Sequence, residues 1–165
     1  MRIGYCCICL SKPELTTNRR MVKRTFLQKG VPYASQLILQ NVKDLYAIMQ
    51  WNRDNGIQLF RMSSDMFPWA SEYKLSDLPD FAEISMWLLK TGDLARKHGI
   101  RLTFHPGPFN VLCSPNQDVV NRTIQDLEIH GQIMDLMDLD RTHYNPINIH
   151  CNGTFGDKQA SMDLS

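Results

Sequence analysis

A chain of 165 residues, 43% hydrophobic and 21% charged, is long enough for one domain with a real core and is too ordinary in composition for a disordered or fibrous protein. No apolar run nears the ~18 residues of a membrane span. The leading MRIGYCCICL lacks the long apolar core of a secretory signal, and five cysteines, an odd number, do not make a disulfide framework in a chain of this length. These features lead us to expect a single domain over residues 1–165 in an intracellular, reducing compartment, cytoplasmic or nuclear, with no membrane partner. Net charge is only +1, but it is unevenly spread: Lys12, Arg19, Arg20, Lys23, Arg24 and Lys29 face a single acid, Glu14, in one short segment. Charge gathered in that way suits a phosphate-bearing partner, and equally suits a solvated basic helix.

Four short β-rich runs come in order, at residues 2–8 (RIGYCCI), 57–63 (IQLFRMS), 101–105 (RLTFH) and 147–151 (INIHC). Helical patterns lie between them. Ile38, Val42, Leu45 and Met49 repeat on one helix face, and Asn55-Gly56 stops that helix just before the second run. Phe81, Ile84, Leu88 and Ala95 make a weaker stripe that ends at His98-Gly99. Ser114-Pro115-Asn116-Gln117 reads as a capping box with Ser114 as N-cap and Pro115 at the first helical position, and Val120, Ile124 and Leu127 carry the helix on. Strand followed by helix, repeated, implies a parallel sheet with right-handed crossovers. No Gly-x-Gly-x-x-Gly follows a strand, so a dinucleotide fold has no support.

The residues able to do chemistry gather where each strand run ends: Tyr5 and Cys9, then Ser63-Ser64-Asp65, then His105, then His150. That placement is the mark of a (β/α) barrel. The fold class is therefore expected to be α/β, of TIM-barrel type. A full barrel takes about 250 residues, so only about the first four βα units are expected here. The third run is the most suggestive: RLTFHPGPFN stops on a histidine held by Pro-Gly-Pro, the way a loop mouth presents a metal ligand. His105 and His150 follow neighbouring strands and can reach one cleft, where neutral imidazoles suit Zn²⁺ or Mn²⁺. Either histidine alone reads more simply as a structural residue, and two do not complete a site. Asp65 reads as a turn residue, a ligand, or an acceptor behind a histidine. Cys6, Cys7 and Cys9 lack a Cys-x-x-Cys pair and read as packing residues. His98, His130 and His143 read as structural or exposed.

Six blocks in order, RIGYCCICL, TTNRRMVKRTF, GIQLFRMSSDMFPWAS, RLTFHPGPFN, SPNQDVVNRTIQDLEIH and INIHCNGTFGDK, resemble the N-terminal half of the UV damage endonucleases, from Arg2 to Lys158. The resemblance implies a TIM barrel similar in plan to endonuclease IV. It also implies cleavage of DNA immediately 5′ to ultraviolet photoproducts, and a cluster of divalent metals, manganese commonly among them. It places His105 and His150 as metal ligands, Tyr5 in the damage pocket, and Thr17, Asn18, Arg19 and Arg20 near the DNA backbone. Pro108 and Phe109 stand where the family has a glutamine and a tyrosine that probe the duplex. Cys9 stands for an asparagine, Asn152 for a glycine, and Asp65 for a histidine of some relatives. Family barrels continue through four more strands that deliver a bridging glutamate, an aspartate, further histidines and a lysine. The implied partner is ultraviolet-damaged duplex DNA; the four missing strands are expected to mean a fragment, a split or truncated product, or a half-barrel with a bare apolar inner face that a second chain completes. A non-catalytic DNA-binding half-barrel and a metal-dependent sugar isomerase are the competing readings.

Overall fold

The computed structural model describes residues 2–150 and 158–163. Its elements run β1 (Gly4–Cys6), α1 (Lys23–Asp54), β2 (Leu59–Arg61), α2 (Phe81–His98), β3 (Arg101–Thr103), α3 (Gln117–Leu136) and α4 (Lys158–Asp163), with three short 3₁₀ turns between β2 and α2. The strands form one parallel sheet in the order β1-β2-β3. Cys6 pairs with Arg61, and Arg61 with Thr103. The architecture is α/β with parallel strands, as expected, although each strand is shorter than its apolar run.

The expected fourth strand is reduced, among the described residues, to one parallel bridge between Phe104 and Ile147. Two hydrogen bonds hold it: Phe104 N donates to Pro146 O at 3.1 Å, and Asn148 N donates to Phe104 O at 2.9 Å. The end of that run, Cys151, and the neighbouring Asn152 lie outside the described residues.

The helix boundaries follow from local chemistry. α1 is two helices joined at Gly30, whose φ of 64° takes it out of the helical region, where glycine alone is at ease. Pro32 follows, close enough to this restart that its missing N–H costs nothing. Asn55 and Gly56 (φ 69°) end α1, and Gly99 (φ 63°) ends α2, as the sequence suggests. The start of α3 differs from the expected capping box. Asn116, in extended backbone, is the N-cap, and its side chain accepts from Asp118 N at 2.9 Å. Ser114 instead accepts from Asn116 N at 3.2 Å. Two capping residues compete here, and the later one wins because its oxygen reaches the first free amide of the helix.

Strand alternation sorts the side chains. Tyr5, Phe60 and Leu102, paired across the sheet, face the helices. There Phe60, Leu102 and Phe104 meet Ile38, Val42, Leu45, Ile48, Ile84 and Leu88, all of them 0% exposed; each contributes roughly 1.5–3 kcal/mol by leaving water. α2 and α3 pack so closely that a Cβ on Gly92 would overlap the Met137 carbonyl. On the other face, Gly4, Cys6, Leu59, Arg61, Arg101, Thr103 and Asn148 line an open hollow of about 460 Å³. This face mixes the apolar Gly4, Cys6 and Leu59 with two arginines and a threonine, so it is open but not uniformly apolar as expected. None of the described helices is long and apolar enough to cross a membrane.

Candidate functional site at the strand ends

The C-terminal ends of the strands converge as the sequence implies. His105 follows β3 directly after the Phe104 bridge, and His150 follows the bridged Ile147 by three residues. Their rings stack at 4.5 Å between centroids, 22° from parallel. β2 contributes Arg61, whose Nη1 donates to Nδ1 of His105 at 2.9 Å. His105 is pushed below the ordinary imidazole range, first by desolvation and then by the positive charge of its neighbours His150 and Arg61. Among the described residues no third His, Cys, Asp or Glu joins the pair to make a three-donor set. The two imidazoles therefore fit a divalent ion as part of a ligand set and not as all of it.

Phe109 lies four residues past His105, in the loop after β3, and is 90% exposed. An aromatic ring of that size left in water at a strand-end loop is free to stack on another ring system. Pro108 beside it is also exposed.

The segment after β1 is more tightly built than its charge suggests. Arg19 Nη1 donates to Asp44 Oδ2 and to Thr16 O, both at 2.7 Å. Asp44, 6% exposed, also accepts from Thr16 N at 3.1 Å and Gln40 Nε2 at 3.0 Å. Asn41, fully buried in α1, exchanges hydrogen bonds with the Arg19 backbone and donates to Met66 O at 2.9 Å. The charge of Arg19 is thus committed to the fold. Arg20 is exposed and ion-paired with Asp65 at 3.1 Å, which leaves Asp65 facing an arginine rather than a histidine. Asn18 is hydrogen-bonded through its side-chain oxygen to the Ser63 hydroxyl. Beyond them, Lys23, Arg24 and Lys29 are exposed on the first turns of α1, whose Phe26 stacks on Trp69 at 5.9 Å.

Cys9 sits deeper than the resemblance implies, while Tyr5 is part-buried and borders the open hollow. Tyr5 donates to Asn52 Oδ1 at 2.8 Å and lies edge-on to Phe60 at 5.1 Å. Burial, then a hydrogen bond with Cys9, pushes its hydroxyl well above the usual phenol range. Cys9 is 2% exposed within the core, so its thiol offers no surface to DNA. His130 is structural as expected, 4% exposed, with Nδ1 donating to Asp126 O at 2.7 Å and its ring edge-on to Phe104. His98 and His143 are exposed.

A family model described as UV-endonuclease UvdE matches residues 1–164. The chain belongs to the UvdE family. A putative UV-damage endonuclease of Acanthamoeba polyphaga mimivirus is 32% identical over 99% of this chain and 50% of its own length. The UV-damage endonuclease of Schizosaccharomyces pombe is 37% identical over 98% of this chain and 28% of its own. A solved structure described as "Crystal Structure of SacUVDE" superposes with a TM-score of 0.85 at 26% identity, covering 99% of this chain and 54% of that one. This chain therefore spans half or less of the curated UvdE relatives cited and about half of the solved one.

Sequence reasoning missed Arg61, Asp44 and Asn52. Arg61 did leave a signal. In IQLFRMSS it shares the strand parity of Leu59 and interrupts an apolar run, so a charge was bound to face the inner hollow. Asp44 and Asn52 sit on a helix face opposite ordinary polar positions, and nothing local marks them as partners of Arg19 and Tyr5.

Proposed function

We propose that this UvdE chain acts in the repair of ultraviolet-damaged DNA, as the portion of a TIM-type barrel that contributes His105 and His150 to a metal-dependent cut 5′ to the photoproduct. The observation that carries this reading is the convergence of those two imidazoles at one strand-end edge, with the exposed Phe109 on the loop that leaves it. The superposition on a solved relative supports the barrel. His105 and His150 would hold Mn²⁺ or Zn²⁺ together with ligands from outside this pair, and the ion would polarise the phosphodiester and lower the pKa of an attacking water. Phe109 stacks against a base at the lesion, where unstacking is cheapest. Lys23, Arg24 and Lys29 draw in the backbone without reading sequence. Cys6, Cys7 and Cys9 are thiols rather than disulfides, which suits a reducing compartment.

A second reading, binding without cutting, is favoured by one observation: among the described residues the two imidazoles have no third donor, too few for a working centre. Both readings require preference for damaged DNA. Mobility shift with irradiated and plain duplex of the same sequence tests that requirement, and the expected result is stronger retention of the irradiated duplex. Equal retention of the two would end both. Nicking of irradiated plasmid with Mn²⁺, lost in His105→Ala and in His150→Ala, would select the first reading; retention without nicking would select the second.

A further inference from the structure

Arg61 differs from the other arginines near the strand ends. Arg19 and Arg20 end on Asp44 and Asp65, and Arg101 donates to the backbone carbonyls of Tyr144 and His143. Arg61 makes no ion pair among the described residues. Its partners are Nδ1 of His105, at 2.9 Å, and the Cys7 thiol. It is half-buried at the last position of β2, facing the open hollow. A full positive charge is therefore held partly out of water with no acid paired to it among the described residues, an arrangement whose cost an anion would remove.

The protonation state of the neighbouring ring follows. A guanidinium in a protein keeps its protons and can only donate. Nδ1 of His105 must accept from it, so the hydrogen of the neutral ring sits on Nε2. What this edge shows the hollow is then Arg61, with the remaining N–H groups of its guanidinium, and beside it the stacked pair His105 and His150. The guanidinium N–H groups are donors, and a planar fork of donors matches a pair of phosphate oxygens.

We infer that Arg61 binds a phosphate group, with His105 as the positioning residue that sets the direction of its guanidinium. On the nucleic-acid reading proposed above, on which this identification of the ligand rests, the group is a backbone phosphate of the bound strand.

Histidine-¹⁵N-labelled chain, titrated separately with inorganic phosphate and with a short undamaged duplex, tests this. Long-range ¹H–¹⁵N spectra are expected to show His105 as the Nε2–H tautomer, with its resonances and those of His150 moving saturably as phosphate is added. Arg61→Gln is expected to weaken phosphate about tenfold, with Arg61→Lys in between because it keeps the charge and loses the fork. The same spectra report whether each variant is folded, and Arg61→Lys decides the matter where Arg61→Gln is not. Phosphate bound as tightly by the folded variants as by the parent chain would overturn the inference, as would His105 carrying its hydrogen on Nδ1. Loss of phosphate binding in Arg61→Gln by a chain that ignores the duplex would uphold Arg61 as a phosphate residue and remove the nucleic-acid reading alone.

Discussion

Two cationic regions lie near the strand ends, and they are built in opposite ways. The segment from Lys12 to Lys29 holds six basic residues, but its innermost arginine is tied down by a buried acid, by the Thr16 carbonyl and, through its own backbone, by the Asn41 side chain, and the next is paired with Asp65. The edge formed by β2, β3 and the Ile147 bridge holds one arginine and two histidines, with no acid paired to that arginine among the described residues. The first region has more charge, but its two arginines nearest the strand ends are held by acids, while its exposed remainder, Lys23, Arg24 and Lys29, lies further along α1. The difference teaches that a count of basic residues measures long-range attraction, whereas the charge able to close on a phosphate is the charge the fold leaves unneutralised.

The largest expected effect breaks the first region as a fold element. Arg19→Ala strands the Asp44 carboxylate, which keeps its bonds to Thr16 and Gln40 but loses its counter-charge. Urea unfolding is expected to show a loss of ~2–3 kcal/mol, below the ~3–5 kcal/mol of a fully buried pair because Arg19 keeps part of its surface. Adding Asp44→Asn should recover part of that loss; no loss at all would mean that the pair is decoration. Phe109→Ala addresses the other edge and should leave stability unchanged, since the ring is 90% exposed. In duplex titrations it is expected to remove ~1–3 kcal/mol of preference for irradiated DNA, and full preference retained would remove Phe109 from the interface.

A smaller effect concerns metal. Removing the cation beside His105 in Arg61→Ala relieves ~1 kcal/mol of repulsion in a solvent-rich site, so Zn²⁺ competition with a chromogenic chelator should show binding about fivefold tighter than in the parent chain. Unchanged affinity would mean that the charge of Arg61 does not reach an ion held by His105. The smallest effect is that of Arg20→Ala on stability, expected within ~0.5 kcal/mol because exposed ion pairs contribute little; a larger drop in thermal unfolding would show that the bond to Asp65 anchors the loop.

The legibility of this chain in its sequence divides along similar lines. α1 and α2 end where Asn55-Gly56 and His98-Gly99 say, because a left-handed cap is a property of one or two residues. The convergence of His105 and His150 was legible because strand order fixes which ends are neighbours. The fate of Arg19 was not, since Asp44 lies 25 residues away on another element and no local count of charge can see it. The burial of Cys9 was hidden for a like reason: β1 is only three residues long, so the chain turns before period-2 reasoning can say which side Cys9 will take. α3 began later than expected because Ser114 and Asn116 are both competent caps and only geometry separates them.

The central claim, that Arg61 keeps its charge uncommitted while Arg19 and Arg20 are held by acids, meets its most direct test in the salt dependence of duplex binding. Removing one side chain that neutralises a phosphate lowers the slope of log K against log salt by about one. The account predicts that Arg61→Gln lowers the slope by about that much, and that Arg20→Ala lowers it by clearly less, because Arg20 must first give up Asp65. A full unit of slope missing in Arg20→Ala, with the slope of Arg61→Gln unchanged from the parent chain, would contradict it.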